Sequence, residues 1–311
     1  MLPNTGSAYP LPRFLHDPVD RATLAFLVPP GASGFDFASP AGEPALVAAD
    51  SVSWRVFKNP LTLFIGGIAA VILELAEPRV RAGVWDHSSF RTAPLKRMQR
   101  TGLAAMVTVY GARSKAEAMI AGVRRMHDRV AGMTPAGARY TANDPELLDW
   151  VQATASYGFL EAYHLFAQPL SPDEMDRFYA EGSEASTLYG AANAPNSRAE
   201  LDQLFGGMRL HLERSPTIFE FLRIMGEAAI LPAPLRPLQG VLVKAGVEIL
   251  PSWAREIIGL DAAWRLPAWQ TRLIQQAARA ADRVLLRSQP PVQACLRLGL
   301  PEDYLYRDVF H

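Results

Sequence analysis

Cysteine is almost absent from this chain of 311 residues. The one thiol, Cys295, cannot close an internal disulfide, and it excludes a zinc or iron–sulfur site built from several thiolates. An excess of charge is missing too, since 31 Lys and Arg balance 31 Asp and Glu. That balance argues against a nucleic-acid-binding protein, whose footprint is a basic excess. Long apolar runs are also lacking. Leu61 to Leu73 is apolar with Gly66 and Gly67 inside, but Glu74 and Glu77 follow at once. A bilayer span needs roughly 20 apolar residues, so this segment reads as a buried helix. Met1 to Pro10 has neither a charged region leading into an apolar run nor a twin-Arg pair. The expectation is a soluble, cytoplasmic protein with no stable membrane span. There is no Gly-rich phosphate loop, no G-x-S-x-G, no H-E-x-x-H and no long internal repeat.

What is present suits a folded body. Hydrophobic residues make up 49% of the chain against 20% charged, enough apolar surface to build a core and too little charge for disorder. Residues 1–48 are rich in Pro, Gly and Ala and read as a mostly irregular extension that wraps the body or stays mobile. Residues 49–311 read as one helical domain. Pro60, Pro94, Asp144-Pro145 and Ser215-Pro216 are helix openers, and Pro78, Gly111 and Gly132 are stops. Ser114 to Glu117, Ser171 to Glu174 and Ser197 to Glu200 read as capping boxes. The helix opened by Ser114 is expected to reach Val130, the one opened at Asp144 to extend toward Phe166, and a long one to span Pro267 to Ser288. Runs of period two are scarce, and Ser51 to Phe57 is the only good strand candidate. The fold class is therefore all-α, a single globular multi-helix domain. No heptad seam is evident, and a homodimer is compatible with a helical protein of this size.

Chemistry concentrates on two helices. Met119, Ile120, Val123, His127 and Val130 recur at spacings of three and four, so His127 lies on an apolar stripe, with Arg124 one turn earlier. A buried imidazole needs partners for both nitrogens. It is either a core histidine bonded to its neighbours or a ligand to a metal or haem iron, with Arg124 placed to pair with an acidic cofactor group. On the preceding helix Arg97 and Thr101 share a face, either gripping a carboxylate or forming a solvated basic edge. Trp85 to Ser88 reads as a turn rather than an Asp–His dyad. Glu74 and Glu77 stand on the apolar helix, where a carboxylate is costly unless paired.

Taken in order, several strings resemble one family. They are Asp50 to Val56; Leu75-Ala76-Glu77-Pro78; Ala82 to Arg91; Arg97-Met98-Gln99-Arg100-Thr101; Arg124 to Gly132; Tyr140 to Val151; Ser197 to Leu201; and Leu250 to Arg255. The series is similar to the MpaB/latex-clearing-protein oxygenase family (DUF2236), over roughly residues 50–260. The resemblance implies an all-helical domain with a globin-like packed core that holds haem b and uses dioxygen on a hydrophobic substrate, an alkene or terpenoid-like molecule. In the rubber-cleaving branch an Arg-x-x-His motif supplies the proximal iron ligand, which falls here on Arg124 and His127. The distal Arg-x-x-Lys-Thr of that branch falls on Arg97, Arg100 and Thr101, with Arg100 in place of Lys. Arg100 keeps its proton and cannot be a neutral iron ligand, though it can hydrogen-bond dioxygen or pair with a propionate.

The resemblance thus makes His127 the metal ligand, Arg97 and Arg124 cofactor-supporting residues, and Arg100 and Thr101 the catalytic distal pair. Three positions depart from the pattern: Glu77 and Gln152 stand where many relatives have His, and Tyr157 where an Asp is often seen. These departures favour an alternative, a non-catalytic helical binding protein that keeps the fold and an apolar pocket. A further alternative is an enzyme of another metal, held by Glu77, His127 and ligands from other helices.

Overall fold

The computed structural model describes residues 8–9, 17–20, 23, 35–228 and 236–307. The centre of the molecule is the apolar segment read as a buried helix. α1 (Val52–Phe57) leads into it, and α2 (Pro60–Ala76) is that helix. Asn59 caps α2 by accepting from the backbone N–H groups of Leu61 and Thr62, and Pro60 takes the first helical position, where no N–H is needed. α3 (Pro78–Asp86) turns away from α2 through 112°. α4 (Pro94–Tyr110) and α5 (Arg113–His127) follow, then a small hairpin of β1 (Ala131–Met133) and β2 (Arg139–Thr141). Its antiparallel register sets Gly132 opposite Tyr140.

The long α6 (Pro145–Ala162) continues through a π turn to Ala167, so the helical run ends close to the expected Phe166. α7 (Pro172–Glu181), α8 (Ser183–Tyr189), α9 (Arg198–Met208), α10 (Pro216–Glu227), α11 (Arg236–Glu248), α12 (Ser252–Ile258), α13 (Ala268–Ala281) and α14 (Pro290–Arg297) complete the order. The all-α, single-domain expectation holds. No single helix among the described residues is long and apolar enough to cross a membrane.

α2 makes two close crossings, and the first explains Gly66. A Cβ at Gly66 would lie 2.6 Å from the carbonyl oxygen of Gly158 on α6, and one at Gly158 would lie 2.4 Å from that of Gly66. No side chain fits between these backbones. On α11, a Cβ at Gly246 would meet Ile68 of α2 at 2.6 Å. Three helices therefore pack at backbone distance, and their flanks bury Ile65, Ile68, Ile72, Leu73, Leu75 and Trp150 completely. At about 25 cal/mol per Å² of apolar surface, this is the main stabilising term of the fold. Residues 35–48, the described end of the extension, lie against this body. Phe37, Leu46 and Val47 are buried, and Arg297 of α14 donates to the carbonyls of Phe37 (2.7 Å) and Glu43 (2.8 Å) as well as Tyr110 (2.7 Å).

Three local expectations are corrected. Ser51 to Phe57 is not a strand: Ser51 Oγ accepts from Trp54 N–H, and Val52–Phe57 is a helix buried on every side. An all-round burial pattern carries no period, so the apparent alternation had no meaning. Ser114 does not open α5. The helix starts at Arg113, and the carboxylate of Glu43 takes the Ser114 N–H (2.6 Å) and hydroxyl (3.1 Å), a cap supplied by a distant segment. The helix also ends at His127 rather than Val130, because Val130 enters the hairpin by accepting from Ala142 N–H. Finally α13 stops at Ala281, where Asp282 turns to bind Lys58 and Asn59. The capping box at Ser171 is present as expected.

Candidate active site

Along α2, Leu63, Gly67, Val71 and Glu74 keep accessible surface while the residues between them are buried. Their spacing of four, four and three is one helical stripe. A Cβ at Gly67 would meet nothing within 4 Å. This accessible stripe on the central helix borders open space, the candidate cavity of the site. Glu74 stands at its end, and burial pushes its carboxyl up to about 7, opposed only by the charge of Arg97.

Arg97 comes from the first turn of α4. Its Nη1 donates to Thr101 Oγ1, and Thr101 in turn donates to the Arg97 carbonyl oxygen at 3.1 Å. The predicted pair is therefore joined, as spacing of four on a helix allows. Arg97 also lies over the ring of Phe90, 5.4 Å from its centroid, a cation–π contact that fixes the guanidinium. Its positive charge acts on both Glu74 and His127. Arg97 on α4 thus lies within electrostatic reach of side chains on both α2 and α5.

His127 is the last residue of α5. Its Nδ1 is enclosed, while no such enclosure applies to Nε2. Burial and the Arg97 charge push the imidazolium down, although the Asn143 amide and Asp128 oppose them. The ring is accordingly neutral near pH 7, with a lone pair to offer. Val123 and Met119, one and two turns earlier, share its partly exposed stripe. Higher along the same helices, Thr108 and the Tyr189 hydroxyl lie 3.1 Å apart, and Tyr189 reaches the Met119 sulfur at 4.0 Å.

The other predicted residues are placed less centrally. Arg100 is exposed, one turn from Arg97, and the charges of the two oppose each other. Arg124 is exposed and runs toward the end of α8, with its Nε 3.9 Å from where a Cβ on Gly190 would stand. Glu77 is not in the cavity. It caps α3 by accepting from Val80 N–H at 2.7 Å and pairs with Arg79 at 2.8 Å. Both its oxygens are therefore spent, and among the described residues no group of three or more His, Cys, Asp or Glu gathers for a metal. Gln152 approaches Ser156 at 3.4 Å, and Tyr157 donates to the carbonyl of Ile249. His87, expected in a turn, follows the end of α3, and its Nε2 lies 3.1 Å from the Tyr140 hydroxyl.

Sequence reasoning left Glu74 unassigned and passed over Asn143 and Tyr189. The signal for Glu74 was the lone acid on the most apolar helix. Asn143 and Tyr189 had none, because their roles depend on how the hairpin and α8 fold back.

A model of one protein family matches residues 54–283, described as the ER-bound oxygenase mpaB/B'/rubber oxygenase catalytic domain. The chain belongs to this family. The match spans the whole cavity, from α1 through α13, and includes every residue named above as facing it. No curated protein and no solved structure matches the chain.

Proposed function

We propose that this mpaB/rubber-oxygenase family protein is a haem b-dependent oxygenase that brings dioxygen to a small hydrophobic substrate, alkene or terpenoid-like. The observation that carries this reading is His127. It offers a neutral imidazole with one nitrogen enclosed and the other open, beside a cavity that also holds Glu74 and Arg97. The donor set fits a haem: one histidine for the iron, and Arg97, Arg100 and Arg124 near enough by helix position to serve acidic side groups. When bound, haem supplies the iron-centred oxidation chemistry.

The rest belongs to the chain. His127 Nε2 is the ligating atom. Arg97, held by Thr101, presents its remaining N–H donors, which stabilise negative charge arising on an oxygen in the cavity. Arg100, exposed one turn from Arg97, adds positive charge. Leu63, Val71, Met119 and Val123 give the apolar lining that admits a hydrocarbon and excludes water. Glu74, poised near neutrality, takes or returns a proton at its carboxylate oxygen.

The test is the visible spectrum of protein expressed with haem supply. A Soret band is expected, lost or shifted in His127→Ala, together with iron in metal analysis. Turnover with dioxygen and candidate alkenes then separates an enzyme from a carrier. A colourless, iron-free protein would leave the helical binding protein as the better reading. That reading draws on Glu77, Gln152 and Tyr157, which depart from the family pattern and serve the fold.

A further inference from the structure

The surroundings of His127 carry one more step, which rests on its proposed role as ligand. Two enclosed polar atoms here have no partner in good hydrogen-bond geometry: Nδ1 of His127 and Oδ1 of Asn143. Buried polar atoms are rarely left unmatched, and such a pair calls for an explanation. The residues are neighbours: the Asn143 amide bonds the Arg124 carbonyl, three residues before His127, and the Asp128 carboxylate next to it, and it acts on the imidazole.

The orientation of Asn143 is not free. Its Nδ2 donates to the Arg124 carbonyl at 3.2 Å and to Asp128 Oδ1 at 2.6 Å. A carbonyl and a carboxylate only accept, so the amide nitrogen must face them. The flipped amide would set oxygen against two oxygens. Oδ1 is therefore turned away from these two oxygens, enclosed and without a partner, beside His127. The backbone holds it there: Ala142 N–H bonds the Val130 carbonyl at 2.9 Å beyond the hairpin, and Asp144 begins α6 as its N-cap. An amide oxygen can only accept. The imidazole nitrogen that meets it must carry the proton, and the other nitrogen then keeps its lone pair.

We propose that Asn143 is a positioning residue: its Oδ1 accepts the His127 Nδ1–H, fixing the tautomer in which Nε2 is the electron-pair donor to iron. Partners of this kind orient metal-bound histidines and strengthen them as ligands. The competing role is structural, with Asn143 serving only to cap the carbonyl end of α5.

Nitrogen NMR of the histidines separates the two, in full-length metal-free protein at pH 8, with His127 assigned by its loss in His127→Gln. The wild type should show the Nδ1–H tautomer. Asn143→Ala should move the population toward Nε2–H. The double swap Asn143→Asp with Asp128→Asn, which keeps an acceptor at the ring and a donor at the neighbour, should restore Nδ1–H. A wild type already in the Nε2–H form overturns the proposal. So does a folded Asn143→Ala that stays as Nδ1–H, or a folded swap that does not recover it.

Haemin titration of the same proteins supplies the second readout. Asn143→Ala should bind haemin about 10- to 100-fold more weakly than wild type, and the swap should regain most of that. Equal affinities would overturn the proposal. A wild type that takes up no haemin would instead defeat the haem reading itself, with the tautomer already decided by NMR.

Discussion

Glu74 gives the sharpest quantitative test. Its carboxyl is held near 7 by burial, against an ordinary value of 4.5. As pH rises past 4.5 the unfolded chain releases this proton while the folded chain keeps it. Folding is then opposed progressively, and the penalty is complete above about 7. Each pH unit between the two values is worth about 1.4 kcal/mol, so the cost at pH 8 is about 3 kcal/mol at most. Glu74 keeps part of its surface exposed, and solvent screening lowers this toward about 2 kcal/mol.

Glu74→Gln keeps the shape and removes the titration. Urea unfolding of wild type and variant, without haem, should give similar stabilities at pH 4.5. The variant should gain steadily to pH 7 and remain about 2–3 kcal/mol more stable at pH 8. Parallel curves, or a variant less stable at pH 8, would refute the buried-carboxyl reasoning. In haem-loaded enzyme the same group should appear as an inflection near pH 7 in turnover, absent from the variant.

Three further outcomes follow from the packing. Gly158→Ala places a Cβ 2.4 Å from the Gly66 carbonyl and should cost about 3 kcal/mol or more in urea unfolding. Gly67→Ala enters open space, so it should leave stability unchanged or raise it by up to about 1 kcal/mol, while weakening haemin binding by narrowing the cavity. Arg297→Met leaves the carbonyls of Phe37, Glu43 and Tyr110 without their donor. It should cost about 3 kcal/mol and open residues 35–48 to limited proteolysis, which wild type should resist.

Much of this fold was legible because its helix starts are local. Asn59, Ser171, Ser197 and Ser215 all cap the helices that follow them. Where a distant group did the same work, local reading failed. Glu43 caps α5 from the extension and displaces the apparent box at Ser114. Glu181 of α7 accepts from the N–H groups of Val52 and Ser53, which helps make α1 a helix where alternation suggested a strand. The site divides in the same way. Arg97 and Thr101 could be paired by spacing on one helix, and His127 could be placed on a stripe. That the Arg97 charge also acts on Glu74 depends on where the fold sets α4 relative to α2, and Asn143 reaches the end of α5 only because the chain returns there after the hairpin. Neither fact has a periodic signature.

The three departures from the family pattern bear on which polar groups now define the cavity. Glu77 is consumed by a helix start and by Arg79, Gln152 by its own helix, and Tyr157 by the Ile249 carbonyl. Each is a tie within the fold, leaving Glu74, Arg97 and His127 to face the candidate cavity. Tyr157→Phe tests that division. Its hydroxyl makes one buried hydrogen bond, so removing it should cost about 1–2 kcal/mol, including the unmatched carbonyl. If the polar set of the cavity is complete without it, the variant's haemin affinity and Soret position should match wild type at a temperature where both are folded. A shifted Soret band in a folded Tyr157→Phe would place that hydroxyl in the working site and undo the division drawn here.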